Sequence, residues 1–474
     1  MANRYPMHIA GEPVRSDRTQ TVELPYDGSA VGTIFEATSA QVDAAIHAAS
    51  AAAPVMREMT RDERSAILRR AHYKLLERRE ELAFDICNET GKPIKEARVE
   101  VDRAAATLLH SSGEALRLVG EVVPMDAAPA GKGRWGMTVR EPLGVIAAIT
   151  PFNVPLNLAL HKIGPALAGG NTVVHKPASA TPISAIKLAE ILLDCGLPKG
   201  ALNVITGPGA TIGEQLVFHK DVAMVTFTGS VDVGAKIRNL AGLKRVTLEL
   251  GGNSAVILAE DADFDAALPR CVGGAFAHSG QLCISVQRVY VHASRRDEFV
   301  ERFVDGTKRL VIGHPHDPQT DISSLINPKE ADRVVGWIGE AIRSGARLVH
   351  GGGRAHATIE PAVVTDVPDH LPLSCKEAFG PVVAVNSYQT MDEAIARVND
   401  SEFGLQAGIY TRDIEQAFYA AQRVEVGGFM INEVPQYRLD HMPYGGVKNS
   451  GTGREGPKYA IEEMTEAKLI TWKV

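Results

Sequence analysis

The sequence predicts an α/β protein that contains two units with parallel sheets. Across residues 144–250, short apolar runs alternate with segments of helical periodicity, the pattern of strands joined by crossover helices. The same alternation resumes after residue 261 and continues to about residue 430. A third region, residues 120–142, has the pattern of a hairpin instead.

Composition excludes several classes of protein. A chain of 474 residues is too long for one core, and 45% hydrophobic with 23% charged residues is typical of globular domains. Its net charge of −7 argues against nucleic acid and acidic membranes as partners. Because the five cysteines form no Cys-x-x-Cys pair, we expect no metal site and a reducing compartment, the cytoplasm. No apolar run approaches the length of a membrane span.

The first 119 residues predict short strands followed by helices. Residues 7–35 alternate apolar and polar positions between turn signals, which indicates strands of an edge layer. Helices are expected over residues 39–53, over one long amphipathic stretch at 60–89, and from there to about residue 119.

The hairpin and the C-terminus predict a separate arm. Strand-like residues 121–125 and 135–139 flank a Gly-Lys-Gly tip at 131–133, and residues 468–472 have a similar pattern. Because exposed strand edges need a partner, this arm predicts a homodimer or homotetramer.

The alternating region predicts a parallel-sheet nucleotide-binding unit. The expected strands are 145–149, 172–175, 202–206, 222–227 and 245–250, and the expected helices are 156–167, 182–193, 213–218 and 233–241. We therefore predict a cofactor domain at 1–119 and 141–250, a catalytic domain at 251–450, and the oligomerisation arm at 120–140 and 451–474.

Two residues near the middle of the chain have the chemistry of covalent catalysis. Glu249 ends a buried strand before Gly251 and Gly252, where poor solvation raises a carboxyl pKa toward that of a general base. Cys283 follows a Ser-Gly-Gln turn, where backbone N–H groups favour the nucleophilic thiolate. Each residue also has an ordinary structural explanation.

Three strand ends carry further candidates. Asn153 lies between two prolines, and its amide can donate to an oxyanion or cap a helix. Lys176 follows a strand, where it can meet an adenosine ribose or remain a surface charge. Phe-Thr-Gly-Ser at 227–230, with Gly234 at the next helix, permits approach of a pyrophosphate or forms a plain turn.

Seven motifs in register resemble the NAD(P)-dependent aldehyde dehydrogenase superfamily. They are Thr-Pro-Phe-Asn at 150–153, His-Lys-Pro-Ala at 175–178, Phe-Thr-Gly-Ser at 227–230, Glu-Leu-Gly-Gly-Asn at 249–253, Gly-Gln-Leu-Cys at 280–283, Glu-Ala-Phe-Gly-Pro at 377–381 and Pro-Tyr-Gly-Gly-Val-Lys-Asn-Ser-Gly at 443–451. The resemblance covers essentially the whole chain. It implies a Rossmann-type cofactor domain, an α/β catalytic domain and a β-hairpin oligomerisation arm.

The resemblance also implies roles for individual residues. Cys283 attacks the aldehyde, Asn153 and the Cys283 backbone N–H stabilise the oxyanion, and Glu249 activates the water that releases the acid from a thioester. The implied coenzyme residues are Thr150, Pro151, Phe152, Lys176, Ala178, Ser179, Phe227, Thr228, Gly229, Ser230, Gly234, Leu250, Gly251, Glu377 and Phe379. Many NAD-preferring members have glutamate at the position of Ser179, so its absence admits NADP as well as NAD.

The substrate is expected to be a small aldehyde. Parts of the chain resemble the branch of lactaldehyde, phosphonoacetaldehyde and non-phosphorylating glyceraldehyde-3-phosphate dehydrogenases. Val154, Leu282 and Ile284 indicate an apolar pocket and favour a neutral or hydroxylated aldehyde. Arg103 and Arg438 instead favour an anionic aldehyde, although Arg103 is equally typical of a structural ion pair.

The same fold also admits a CoA-acylating enzyme, in which CoA resolves the thioester, or a non-catalytic binding protein. Retention of Glu249 favours water over CoA without excluding CoA. The intact set of Cys283, Glu249 and Asn153 argues against a non-catalytic protein.

Overall fold

Two mostly parallel sheets carry the molecule's two α/β units, in a computed structural model that describes residues 3–474. The strands are β1 (Asn3–Tyr5), β2 (Met7–Ile9), β3 (Glu12–Val14), β4 (Thr19–Glu23), β5 (Ala30–Phe35), β6 (Val122–Val123), β7 (Arg134–Pro142), β8 (Val145–Ile149), β9 (Thr172–Lys176), β10 (Leu202–Val204), β11 (Val222–Thr228), β12 (Arg245–Glu249), β13 (Ala255–Leu258), β14 (Arg288–His292), β15 (Arg347–His350), β16 (Arg354–Ala355), β17 (Thr358–Ile359), β18 (Ala362–Thr365), β19 (Val382–Tyr388), β20 (Phe403–Gly404), β21 (Gln406–Tyr410), β22 (Gly428–Ile431), β23 (Val447–Lys448), β24 (Gly451–Thr452) and β25 (Thr465–Lys473).

Helices cover the sheets and fill the N-terminal region. They are α1 (Ser39–Glu58), α2 (Arg61–Glu77), α3 (Arg79–Thr90), α4 (Ile94–Arg117), α5 (Pro155–Ala168), α6 (Ile183–Asp194), α7 (Glu214–Phe218), α8 (Val231–Leu240), α9 (Phe264–Phe276), α10 (Arg296–Thr307), α11 (Pro328–Arg343), α12 (Pro372–Cys375), α13 (Met391–Asn399), α14 (Ile414–Ala421) and α15 (Pro457–Glu463). Among the described residues, no helix has both the length and the apolar composition that a membrane crossing requires.

The first sheet has the strand order β24-β12-β11-β8-β9-β10-β2-β3. From the central strand β8 the chain moves outward through β9 and β10, then returns to β11 and β12 on the other side of β8. Parallel sheets of this kind bind ligands at the carboxyl ends of the strands, next to such a reversal. Thr150 and Thr228, at the ends of β8 and β11, therefore mark the expected coenzyme site.

The second sheet has the order β15-β18-β19-β14-β13-β21-β22 and its own buried aliphatic and aromatic cores. The predicted alternation of strands and helices is confirmed in both units, although individual ends differ by a few residues. Cys283 lies on the loop between α9 and β14, and Glu249 ends β12 of the first sheet. The chain crosses directly from one unit to the other at Gly251 and Gly252.

The single helix expected at 60–89 is two helices. Arg78 leaves the helical conformation with φ −98° and ψ 18°, so α2 ends there and α3 begins. Leu75 and Leu82, seven residues apart on either side of the break, are both fully buried. Because the apolar period continues across Arg78, periodicity does not reveal the break.

The hairpin is shorter on its first side than predicted, because only Val122–Val123 forms a strand of the expected 121–125. Pro124 and Pro129 each begin a 3₁₀ turn, and proline removes the N–H group that a strand would donate. β7 pairs along its whole length with β25, from Thr465 opposite Pro142 to Lys473 opposite Arg134.

The arm boundary predicted at residue 451 is too early. β24 pairs antiparallel with β12, and α15 packs on α5, so residues 451–464 lie with the first sheet. Gly451, with φ +134°, permits this pairing, since a Cβ there would lie 1.9 Å from the Leu248 carbonyl oxygen. We use "the arm" below for residues 120–140 and Thr465–Lys473.

We predict that Gly451→Ala perturbs the strand that ends in Glu249. A left-handed alanine costs about 1–2 kcal/mol, and the clash with Leu248 adds roughly 1–3 kcal/mol. Gly144→Ala is the matched control, because Gly144 has φ +120° and no described atom lies within 4 Å of its would-be Cβ. Thermal unfolding should show a larger loss for Gly451→Ala; equal losses for the two variants would contradict this.

Candidate active site

The loop that precedes Cys283 has an unusual backbone. His278, Ser279 and Gly280 have φ of 48°, 54° and 74°, three left-handed residues in succession. The Ser279 hydroxyl donates to the Ser323 carbonyl at 3.0 Å, which fixes the loop. Strain of this kind persists only where the surrounding structure imposes it, and it concentrates at functional sites.

The Cys283 thiol lies in an apolar environment with one polar neighbour. Ile284, Leu405 and Tyr444 pack around it, and the Tyr444 hydroxyl donates to the sulfur at 3.7 Å. Burial, followed by the charge of Glu377, raises the pKa of Cys283 to about 11, while the Tyr444 hydroxyl opposes the shift. The raised pKa favours the thiol over the thiolate, so the proton must leave before the sulfur attacks.

Asn153 is turned toward the Cys283 loop. Its Nδ2 donates to the Gln281 carbonyl at 2.8 Å, and its buried Oδ1 has no partner within residues 3–474. Because an amide nitrogen carries two hydrogens, one remains for a ligand. The structure thus brings Asn153 and the Cys283 loop together.

Glu249 is buried at the end of β12, and its Oε2 has no hydrogen-bond partner among the described residues. Burial and then the charge of Glu455 raise its pKa, while the Lys162 ammonium opposes the shift. Burial also acts on Glu455, but the charges of Lys162 and Arg438 lower the pKa of that carboxyl. Glu249 therefore holds its proton more tightly than Glu455 does.

Two glycines allow the two units to approach each other at the site. A Cβ on Gly251 would lie 2.6 Å from a Glu377 carboxyl oxygen, and one on Gly252 would lie 2.2 Å from the Cys283 carbonyl oxygen. The Gly252 N–H donates to Glu377 at 2.9 Å. Burial raises the pKa of Glu377 to about 7, against the effect of that hydrogen bond.

A cavity of about 350 Å³ lies at the carboxyl ends of β8 and β11. Six of the predicted coenzyme residues line this cavity: Thr150, Pro151, Lys176, Phe227, Thr228 and Gly229. The rest of its wall was not predicted and comes from Ile149, Gly209, Ala210, Gly213, Glu214, Val217, Val233, Lys236, Ile237 and Leu240. The Gly-rich run at residues 207–213 is the feature of the sequence that could have indicated this part of the cavity wall.

Lys176 makes this cavity suitable for an adenosine ribose. Its ammonium is almost fully buried and donates to the Pro177 carbonyl at 3.0 Å, with no carboxylate partner in the described part of the chain. Burial lowers its pKa to about 8. A buried amine beside a largely apolar cavity matches the hydroxyl groups and the flat base of a nucleotide.

The remaining predicted coenzyme residues form smaller contacts. Phe152 and Phe379 meet edge to face with centroids 5.8 Å apart, and Phe379 has φ +48°. Gly234 packs against Leu250, since a Cβ there would lie 2.5 Å from Leu250 Cδ2, which is helix–strand packing. Ser179 donates its hydroxyl to the Gly207 carbonyl at 2.9 Å. Ala178 is half-buried, and Ser230 is exposed at the start of α8.

The five predicted substrate residues have different surroundings. Val154 and Leu282 are half-buried, and Ile284 belongs to the apolar cluster around Cys283. Arg103 forms a two-pronged ion pair with Asp440, at 2.8 and 3.1 Å.

Arg438 is buried near Cys283 and is not fully paired. Its guanidinium lies 3.6 Å from the centre of the Tyr444 ring, and Tyr444 touches Cys283. Nη2 contacts Glu455 at 3.0 Å and the His161 ring at 3.2 Å, whereas the buried Nε has no partner in residues 3–474. Lys162 also binds Glu455, at 2.9 Å.

Among the described residues, one group of three possible metal ligands occurs, His47, His219 and Asp221, on the surface. None of the three is a predicted site residue, and the predicted chemistry does not involve them.

Comparison with known proteins agrees with this geometry. Residues 14–470 match the aldehyde dehydrogenase family. The 3-sulfolactaldehyde dehydrogenase of Priestia aryabhattai is 49% identical over 467 residues, which cover 98% of each chain. The chain belongs to the aldehyde dehydrogenase family, and its reaction is the NAD(P)-dependent oxidation of an aldehyde.

Solved structures show the same fold. Aldehyde dehydrogenase 21 from Physcomitrella patens, in complex with the reaction product succinate, superposes with a TM-score of 0.98 at 39% identity, over 100% of this chain and 99% of that one. NADP-dependent glyceraldehyde-3-phosphate dehydrogenase from Bacillus halodurans C-125, complexed with NADP, gives 0.97 at 37% identity, over 100% of both chains.

We predict that acid release becomes faster as pH rises above the ordinary carboxyl range. Glu249 accepts a proton only when ionised, and its raised pKa shifts that ionisation upward. Glu249→Gln should slow hydrolysis by about 10²–10⁴-fold and remove its pH dependence. Rapid-quench measurement of acid release tests this, with the initial burst of reduced coenzyme as the control for intact acylation. A wild-type pH dependence in Glu249→Gln would contradict it.

Proposed function

We propose that this enzyme oxidises a short hydroxylated aldehyde that carries an anionic group at its far end, through a thioester on Cys283. The observation that supports the anionic group is the buried, incompletely paired guanidinium of Arg438 beside the nucleophile. The 3-sulfolactaldehyde dehydrogenase relative is named for a substrate of this class.

The proposed chemistry uses three side chains in turn. Cys283 gives its proton to solvent, and its sulfur forms a bond to the aldehyde carbon. The C=O π bond breaks, so the oxygen becomes an oxyanion held by Asn153 and the Cys283 N–H. When bound, NAD(P)+ would accept the hydride that leaves this carbon, and the oxyanion becomes the carbonyl of a thioester on Cys283. Glu249 then takes a proton from water, whose oxygen bonds to the thioester carbon, and the C–S bond breaks to release the acid.

The charge balance around Arg438 favours an anion. Lys162 and Arg438 share one carboxylate, Glu455, while the nearby Asp440 is bound by Arg103 and His161. The two buried cations thus have one hydrogen-bonded carboxylate between them, an arrangement that is costly unless a ligand pairs with the second charge. A sulfonate, phosphate or carboxylate on the substrate would supply that pair.

The neutral hydroxylated aldehyde is the second candidate. Val154, Leu282 and Ile284 are apolar, Ile284 packs in the cluster around Cys283, and Arg103 is already paired with Asp440. A lactaldehyde-sized substrate would fit these contacts without using Arg438.

We predict that the enzyme prefers the anionic member of each matched substrate pair. Initial rates of coenzyme reduction would compare 3-sulfolactaldehyde with lactaldehyde, and succinate semialdehyde with butanal. Higher kcat/KM for the anionic members is expected. Equal or higher values for the neutral members would support the second candidate and contradict the assignment of Arg438.

Substitution of Arg438 tests whether this residue binds the anionic group of the substrate or acts on the catalytic residues. Arg438→Met should lower kcat/KM for 3-sulfolactaldehyde by about 10–100-fold, the usual worth of a hydrogen bond to a charged group. Lactaldehyde should be much less affected, and Arg438→Lys should restore part of the loss. Equal losses on both substrates would show that Arg438 acts on the catalytic residues instead.

Coenzyme preference is part of the same proposal. Ser179 carries no charge that would repel a 2′-phosphate, and its hydroxyl bonds to the protein backbone. This supports use of NADP as well as NAD.

We also propose that the arm builds a homodimer or homotetramer in the cytoplasm. Trp135 and Trp472 stack with centroids 6.4 Å apart on an exposed sheet, and the five cysteines are free thiols, typical of a reducing compartment.

Light scattering should give at least twice the chain mass of 50.8 kDa. Trp472→Glu should lower that mass; a monomeric wild type would contradict the proposal.

A further inference from the structure

The N-terminus of α5, which follows Asn153, has no cap of its own. Pro155 lacks an N–H group, and Val154 at the cap position has no side-chain acceptor. The N–H groups of Leu156 and Asn157 therefore need acceptors from elsewhere, because the first turn of a helix leaves its N–H groups unpaired.

Glu100 of α4 supplies that acceptor across the fold. Its Oε1 accepts from the N–H of Leu156 at 2.9 Å and from that of Asn157 at 3.4 Å. Its other oxygen, Oε2, pairs with the Lys92 ammonium. The Glu100 and Lys92 side chains are 3% and 4% exposed, so solvent does not weaken either contact.

The two charges of this pair have complementary effects on the site. A carboxylate at a helix N-terminus is favourable, because the unpaired N–H groups give that end a partial positive charge. An isolated buried carboxylate would also repel an oxyanion nearby, and the Lys92 charge offsets that repulsion. A cap of this kind therefore fixes the turn without adding net negative charge beside the reaction.

We propose that Glu100, held by Lys92, is a positioning residue that fixes the turn carrying Asn153. Asn153 lies three residues before Leu156, and its side chain donates to the Gln281 carbonyl. The cap holds the backbone of the turn, and Gln281 holds the carboxamide. This inference rests on the proposed role of Asn153 as the oxyanion donor.

The chain contains a matched control for this interaction. Glu89 of α3 accepts from the N–H groups of Ile183 and Ser184 at 2.7 and 3.2 Å, through one carboxyl oxygen each, and so caps α6. Glu89 is fully buried, and α6 carries no predicted site residue. Loss of this cap should affect stability without affecting Asn153.

The first test compares Glu100→Ala and Glu100→Gln with Glu89→Ala. Displacement of an oxyanion donor by about 1 Å can cost roughly 100-fold, so we expect kcat to fall about 10–100-fold in the Glu100 variants. KM for the coenzyme should stay unchanged, and Glu89→Ala should lose thermal stability with little change in kcat. A similar fall of kcat in Glu89→Ala would contradict a specific role for Glu100.

The second test is a double-mutant cycle with Asn153→Ala. If Glu100 acts through Asn153, Glu100→Gln should have almost no further effect on kcat in the Asn153→Ala background. A full, additive loss would overturn the proposal. Wild-type turnover in Asn153→Ala alone would instead overturn the role of Asn153, so the two failures are distinguishable.

If Glu100→Ala and Glu100→Gln do not fold, Glu100→Asp provides the test instead. It keeps the charge and the Lys92 partner but withdraws the carboxylate by one methylene. We expect a smaller fall in kcat, again absent in the Asn153→Ala background. An unchanged kcat in a folded Glu100→Asp with a displaced cap, seen in its crystal structure, would contradict the proposal.

Discussion

The active site depends on how closely the two α/β units approach at Gly251 and Gly252. A side chain at either position would collide with Glu377 or with the Cys283 carbonyl, so the backbone itself forms the contact. This contact places Glu249, which ends the first sheet, next to the loop that carries the nucleophile. The proposed base and the proposed nucleophile thus come from different units, which meet at two residues without side chains.

Much of this arrangement could be predicted from the chain. Residues at strand ends, such as Asn153, Lys176 and Glu249, were recognisable because a parallel sheet gathers its carboxyl ends along one edge. The break at Arg78 was hidden, since the apolar period continues through it. The C-terminal segment of the arm begins later than predicted, at Thr465, because β24 has two residues and no pattern of its own.

The buried ion pairs that Glu455 forms with Lys162 and Arg438 could not be predicted from the sequence. Lys162 and Glu455 are 293 residues apart, and neither lies in a motif that indicates an ion pair. The one signal was a lysine within a mostly apolar helix. The sequence predicts Arg438 as a substrate-binding candidate. Whether its charge is available to a substrate depends on how many carboxylates surround it, which only the three-dimensional arrangement shows.

The central claim is that turnover passes through a thioester on Cys283. Mass spectrometry of Glu249→Gln after rapid mixing with coenzyme and 3-sulfolactaldehyde tests it most directly. We predict that the mass of the acyl group appears on the peptide containing Cys283, and that Cys283→Ala carries none. Turnover by Cys283→Ala, or an acyl group on another residue, would contradict this mechanism.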